Sequence, residues 1–285
     1  AYVVVDGKTV MSGSRMTIIA GVFSICAILC YIVCFKLTRE RVEVPASSQK
    51  VSASAIFKSI FTNRALLGII VAAIFVLLSQ LTVMRLAGYV YPNLYGSAAA
   101  QSTASLLGTV VMLIVCAPFA SKLAAKFGKK ELAVASSICS ALVWLVCLIW
   151  RPASVWGFVA CYILANIGMG FFNTIIWAMI TDVIDDAEVR SGIREDGTIY
   201  SVYSFARKLG QAFSSGLVGA LLGIIGYTEA TAFDPAVTRG IFNMACIAPI
   251  IGFVCIVLAL VFLYPLNKKK VEENVAALAA RRNNK

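Results

Sequence analysis

The chain has 285 residues, of which 60% are apolar and 14% charged, and its formal net charge is +11. A soluble domain carries about 25% charged residues, so this composition excludes a disordered chain, a nucleic-acid-binding domain and an ordinary soluble enzyme. What remains is a protein that crosses a membrane several times, in agreement with a mean hydropathy of +0.87.

Seven stretches contain no Asp, Glu, Lys or Arg: 16–35, 65–84, 86–121, 132–150, 152–181, 209–228 and 240–267. A helix needs about 20 apolar residues to cross a bilayer, so each stretch supplies one span. Barrel strands would alternate polar and apolar residues, and these runs are apolar on all sides. The predicted fold is an all-α integral membrane protein with seven transmembrane helices. The first covers 16–37. A polar connection, 38–63, follows, with Pro45 and a short amphipathic segment at Ser54–Phe61. The second covers 64–87. Gly88 to Ser97 holds Pro92, Asn93 and Gly96 and reads as a loop. The third helix covers 98–120, with Pro118 near its end. Helices four and five, 131–150 and 154–181, are joined by Arg151-Pro152-Ala153 and must be antiparallel neighbours. An acidic connection, 182–197, precedes the sixth helix, which starts near Thr198. The seventh covers 240–264, with Pro249 a predicted kink. In the tail, Val271, Val275 and Leu278 fall at helical spacing, the pattern of a helix lying on the membrane surface.

Charge placement sets an expected orientation. With the N-terminus outside and the C-terminus cytoplasmic, the inner segments are 38–63, 121–131, 182–197 and 265–285, and 20 of the 25 Lys and Arg are counted to that side, Lys36, Arg64, Arg207 and Lys208 of the adjoining helices included. The outer segments carry Lys8, Arg15, Arg85, Arg151 and Arg239. This is the positive-inside pattern of a multi-pass protein of the plasma (inner) membrane, with the basic excess beside anionic lipid. The first 15 residues are too charged and too short for a signal sequence. A start at Ala1 and an odd number of spans read as a fragment of a longer protein.

Within the spans, Lys208 is the most informative residue. A sixth helix starting near Thr198 puts it about 15 Å along a span of roughly 30 Å, and a mid-membrane lysine points to function. A later helix start would instead let it snorkel to the interface. Arg207 points about 100° away and is expected to face a packing partner or the inner surface. Asp182, Asp185 and Asp186, with Glu188 beyond them, share a helical face. They could hold Mg²⁺, stay solvated, or form ion pairs with Arg190, Arg194 and nearby basic loops. The ion-pair reading is adopted, with Asp186–Arg190 at i,i+4 spacing. The nine cysteines lie in uncharged stretches and there is no His, so they read as small packing residues, with no disulfide framework and no metal site. Gly216, Gly219, Ala220 and Gly223 give a small-residue face suited to tight helix packing.

The run from Trp177 to Ala212, with Asp182, Asp185, Glu188, Gly192, Arg194, Glu195, Gly197, Ser201, Phe205 and Lys208 in order, resembles the glycoside–pentoside–hexuronide:cation symporters. These are the melibiose-carrier-like branch of the major facilitator superfamily. Asp186 stands where that family usually has Tyr, and Asp196 precedes the Gly as a one-residue variation. Ala125-Lys-Phe-Gly-Lys-Lys130 resembles the superfamily's D-R-x-G-R-K loop, with Ala125 in place of its Asp. The resemblance implies a secondary active transporter, not an enzyme, that couples symport of a sugar, glycoside or hexuronide to Na⁺ or H⁺, with no other cofactor. It makes 1–37 the last helix of an N-terminal half, 38–63 the central cytoplasmic linker, 64–267 the six-helix C-terminal half and 268–285 a cytoplasmic tail. The cation site would lie mainly in the N-terminal half, so a missing half or a second copy is the implied partner, alongside sugar and bilayer. Lys208 would serve substrate and cation coupling, with Asn173, Trp177, Tyr203 and Ser204 facing the same cavity. Asp182, Asp185, Asp186, Glu188, Arg190 and Arg194 would form cytoplasmic gating pairs.

Two alternatives stay open. Seven helices also describe a receptor, although no lysine lies between Arg239 and Lys268 for a retinal Schiff base. Asp182-x-x-Asp185-Asp186 also resembles the Mg²⁺-diphosphate motif of an intramembrane prenyltransferase. That chemistry needs a second acidic cluster, and no other segment holds three acids within seven residues.

Overall fold

A computed structural model describes residues 2–5, 8–11, 13–38, 63–194 and 196–283. The chain divides into two compact units, 1–51 and 52–285. In the first, β1 (Tyr2–Val5) pairs antiparallel with β2 (Lys8–Met11), with Val3 opposite Val10. The intervening Asp6-Gly7 is a dipeptide that two-residue hairpins favour. The long helix α1 (Gly13–Leu37) follows. The predicted segment Ser54–Phe61 lies outside the described residues.

The second unit is a helical bundle: α2 (Arg64–Tyr89), α3 (Ala98–Val111), α4 (Ala117–Phe127), α5 (Lys129–Trp150), α6 (Val155–Ser191), α7 (Asp196–Ile225), α8 (Pro235–Leu258) and α9 (Lys268–Asn283). With α1, the described residues contain seven helical segments long and apolar enough to cross a membrane, as predicted. Their ends differ from the expected ones. A π-helical turn at Val90–Leu94 carries α2 through Pro92, so the expected loop from Gly88 shrinks to about Tyr95–Ser97, and Arg85 lies within the helix. A second π turn, Met112–Cys116, joins α3 to α4 just before Pro118. Such a turn relieves the clash between a proline ring and the preceding carbonyl. The residues expected to form an acidic connection, 182–191, continue α6. The absence of charge marks the bilayer, not the helix, and Asp, Glu and Arg are compatible with helical turns outside it. Gly192 ends α6 with φ 76°, a left-handed cap that glycine adopts without steric cost.

Within this unit α2 packs against α7 and α8, α5 against α6 and α8, and α3 against α6. The α2–α7 approach depends on Gly210, where a Cβ would stand 2.8 Å from the Ile74 carbonyl oxygen. Small residues permit such close backbones where lipid, not water, is the competing solvent. Gly216, Gly219 and Gly223 behave otherwise: an added Cβ at each meets nothing within 4 Å. The expected tight packing along that face is absent among the described residues, because α7 turns Gly210, Ser214 and Val218 to its neighbours instead. Pro249 is buried within an unbroken α8. The tail helix α9 packs on α6. Leu278 is buried and Val271 packs on the core, while Val275 is exposed. Its apolar side therefore meets protein, not the surface expected from spacing alone.

Candidate functional site

Trp177 lies in the middle of α6, and Asn173 one turn earlier is half-buried. Tyr203 of α7 is fully buried. Its ring meets Trp177 edge-on, 5.4 Å between centroids. Four residues on, Arg207 Nη1 donates to the Tyr203 hydroxyl at 3.3 Å. The Arg207 guanidinium sits 5.4 Å from the Trp177 ring centre and 5.8 Å from that of Tyr203. Cation–π attraction and the hydrogen bond fix the guanidinium on this aromatic pair. Trp177 remains 47% exposed, so part of its indole is open. Arg207 does face a packing partner, as expected, but that partner is two of the predicted sugar-binding residues.

Lys208 faces elsewhere. It lies about 18 Å along α7, and its Nζ donates to Gln211 Oε1 at 3.4 Å. Ser215 Oγ donates to the Gln211 carbonyl at 3.3 Å, and Arg85 of α2 donates to Ser215 Oγ. Ser204, exposed, is one turn before Lys208 on the same face. The five residues expected around one cavity therefore fall into two groups. Trp177 and Tyr203 gather around Arg207, while Lys208 belongs to a polar ladder that reaches α2. Arg207, Gln211, Ser215 and Arg85 were missed. The i,i+4 step from Tyr203 was a usable signal for Arg207; the link between Arg85 and Ser215 needed the tertiary fold. A third polar feature is a cavity of about 50 Å³ lined by Gln80, Tyr162, Asn166 and Trp144 among others. Asn166 Nδ2 donates to the Tyr162 carbonyl at 2.7 Å there.

At the charged end of α6 the predicted acids and bases do meet. Asp182 is buried and takes Lys129 Nζ at 2.6 Å on one oxygen. Arg190 bridges to Asp186 Oδ2, and Asn274 Nδ2 reaches its other oxygen at 3.1 Å. Arg194 collects three carboxylates: Asp185 at 2.9 Å, Glu188 at 2.8 Å and Asp196 at 2.8 Å. Glu188 first, with Asp185 and Asp196, raises the pKa of that guanidinium above its ordinary value. Arg282 stands 3.7 Å from Glu188, and Arg281 caps the carbonyls of Glu188 and Val189 at 3.2 and 2.9 Å. Among the described residues no group of three or more His, Cys, Asp or Glu is arranged to hold a metal ion. The helix spacing of the acids is right for a shared face, but Lys129, Arg190, Arg194 and Asn274 take oxygens of all four, with Asp182 Oδ2 left unpartnered among the described residues.

The described residues thus place polar and aromatic groups along apolar, membrane-length helices that end in an ion-paired cluster. The chain belongs to the MFS/sugar transport protein family, whose profile matches residues 1–268. It is thus a multi-pass membrane protein of the family that the residues from Trp177 to Ala212 resemble. It is 27% identical over 264 residues to the glucuronide carrier protein homolog of Escherichia coli (strain K12), covering 92% of this chain and 56% of the relative. It is 27% identical over 270 residues to a putative sulfoquinovose importer of the same strain, covering 92% and 56%. To the isoprimeverose transporter of Lactiplantibacillus pentosus it is 22% identical over 285 residues, covering 95% and 58%. The chain spans a little over half the length of these relatives.

Proposed function

We propose that the chain forms the C-terminal wall of a cation-coupled symporter for a sugar, glycoside or hexuronide, and that an acidic sugar fits this wall best. One observation carries the reading: Arg85, Arg207 and Lys208 lie on the α2 and α7 spans and pair with no carboxylate among the described residues. A mid-membrane cation needs an anion or water. Two sources are available in a working carrier: the carboxylates of a cation site on an N-terminal half, and the acid group of the substrate. In this reading Lys208 faces the cation-site carboxylates and releases them when Na⁺ or H⁺ binds. Trp177 stacks on the sugar ring, and Asn173 and Ser204 bond its hydroxyls. Arg207, held by Tyr203, takes the acid.

The pairs of Asp182, Asp185, Asp186 and Glu188 with Lys129, Arg190 and Arg194 would lock and release the cytoplasmic end as the halves rock. The 20-to-5 charge split supports a plasma-membrane protein with this chain's N-terminus outside and its C-terminus inside. Residues 1–37, 38–63, 64–267 and 268–285 would serve as last N-terminal helix, linker, C-terminal half and tail. The partner wall would come from an N-terminal half or a second copy. Names of relatives that include a glucuronide and sulfoquinovose support an acidic substrate.

The test is uptake of labelled glucuronide by membrane vesicles containing the protein expressed from its native gene, with an imposed Na⁺ or proton gradient. Accumulation above equilibrium that collapses with the gradient supports the proposal. Sugar uptake that ignores both gradients contradicts the coupling, and no sugar uptake at all contradicts the reading as a whole.

A further inference from the structure

A cleft of about 530 Å³ opens at the charged end between α2, the end of α6, the connection Pro265–Asn267 and the first turns of α9. Its charged lining consists of Arg64, Arg190, Lys269, Lys270, Asp186 and Glu273. The two acids are already matched. Asp186 is held by Arg190 and Asn274, and Glu273 by Lys270 at 3.4 Å. Arg64 spends one donor, Nη2, on the Phe262 carbonyl at 3.0 Å, which leaves most of its fork open. Lys269 has no partner among the described residues. Among the described residues, two cations therefore face one cleft without a counter-charge. The nearby helix starts contribute little: Asn63 accepts from the amides of Ala65 and Leu66, and Asn267 from that of Lys270. An anion here would be held by side chains.

Position narrows its chemistry. Arg64 is the first residue of one span and Leu263 the last of another, so the cleft lies where spans leave the hydrocarbon. The end of α8 and the π-helical turn Ala259–Leu263 that follows it expose Leu258, Val261 and Phe262, the last by 67%. An open guanidinium and an ammonium suit a phosphate oxygen, and basic pockets at span ends suit lipid headgroups. We propose that this cleft binds a phosphate-bearing anion, and that the source is the headgroup of an anionic phospholipid whose acyl chains run along Leu258, Val261 and Phe262. Arg64 and Lys269 grip the phosphate, and the Asp186–Arg190 pair forms the floor.

The test uses the purified protein expressed from its native gene, in a neutral detergent. Short-chain phosphatidylglycerol, phosphatidylcholine of the same chain length and inorganic phosphate are titrated separately, with bound lipid counted by native mass spectrometry and thermal stability followed in parallel. Phosphatidylglycerol should bind at least about tenfold more tightly than phosphatidylcholine. Arg64→Gln with Lys269→Gln should remove most of that preference, and Lys122→Gln, an exposed lysine outside the cleft, should not. Lys269→Glu alone, at an exposed position, should weaken binding at least about threefold while the protein stays monodisperse, which covers the case that Arg64→Gln disturbs folding. Stabilisation by millimolar inorganic phosphate equal to that by phosphatidylglycerol would overturn the lipid source. Unchanged lipid preference in Lys269→Glu and the double variant, or equal loss in Lys122→Gln, would overturn the site.

Discussion

At the charged end of α6, Asp182, Asp185, Asp186 and Glu188 each bond a Lys or Arg of this same chain, whereas at mid-span Arg85, Arg207 and Lys208 meet, among the described residues, a hydroxyl, a phenol with two rings, and an amide, and no carboxylate. Both regions are rich in charge, but the acids of the first lie on α6 and the cations of the second on α2 and α7. The first closes its electrostatics within the chain and so contributes to the chain's own fold. The second leaves cations without counter-charges in the medium where an unpaired charge is costliest. The difference separates charges that build the bundle from charges set out for a ligand or a partner wall.

The largest effect is expected at Lys208. Lys208→Ala should reduce gradient-driven sugar accumulation to the passive background, with expression and insertion near normal, because its side chain makes a single hydrogen bond among the described residues, to Gln211 at 3.4 Å. Lys208→Arg should also fail largely, since a planar fork does not replace a compact ammonium. Uptake at matched expression checks both. At the paired end the loss should be of stability instead. Lys129→Ala leaves Asp182 buried without a partner and should cost about 3 kcal/mol, the low end for a broken buried pair because Lys129 is partly exposed. Lys129→Met with Asp182→Leu should recover most of that in thermal unfolding. Gly210→Val forces the α2 and α7 backbones apart and should cost about 1–3 kcal/mol. Arg194→Gln should be mildest in stability, under about 1 kcal/mol, since an ion-pair centre this exposed is screened by water.

Much of this was legible before any fold. Uncharged runs mark the spans, because a charge in hydrocarbon is costly and is kept only at a few positions such as Arg85, Arg207 and Lys208. The Asp186–Arg190 pair follows from i,i+4 spacing alone. Span ends were less legible: α6 continues ten residues beyond its last uncharged position, to Ser191, and α2 passes through Pro92 by a π turn. Sequence spacing correctly separates Arg207 from Lys208 by about 100°. It does not say which of the two faces α6, since that depends on how α7 is rotated against α2. Long-range partners such as Lys129 for Asp182 and Asn274 for Asp186 are set by the bundle and the docking of α9, so no local pattern announces them.

The central claim is that the mid-span cations await an anion from outside this chain, and that Arg207 receives the acid of the substrate. The most direct measurement compares uptake of a glucuronide with uptake of its methyl ester, which keeps the shape and removes the charge, in the parent and in Arg207→Gln expressed from the native gene. The account predicts that the parent favours the acid at least about tenfold, in line with a charge-assisted pair, and that Arg207→Gln takes up the two alike, with ester uptake near the parental level. A variant that discriminates as strongly as the parent, or a parent that does not discriminate, would contradict it.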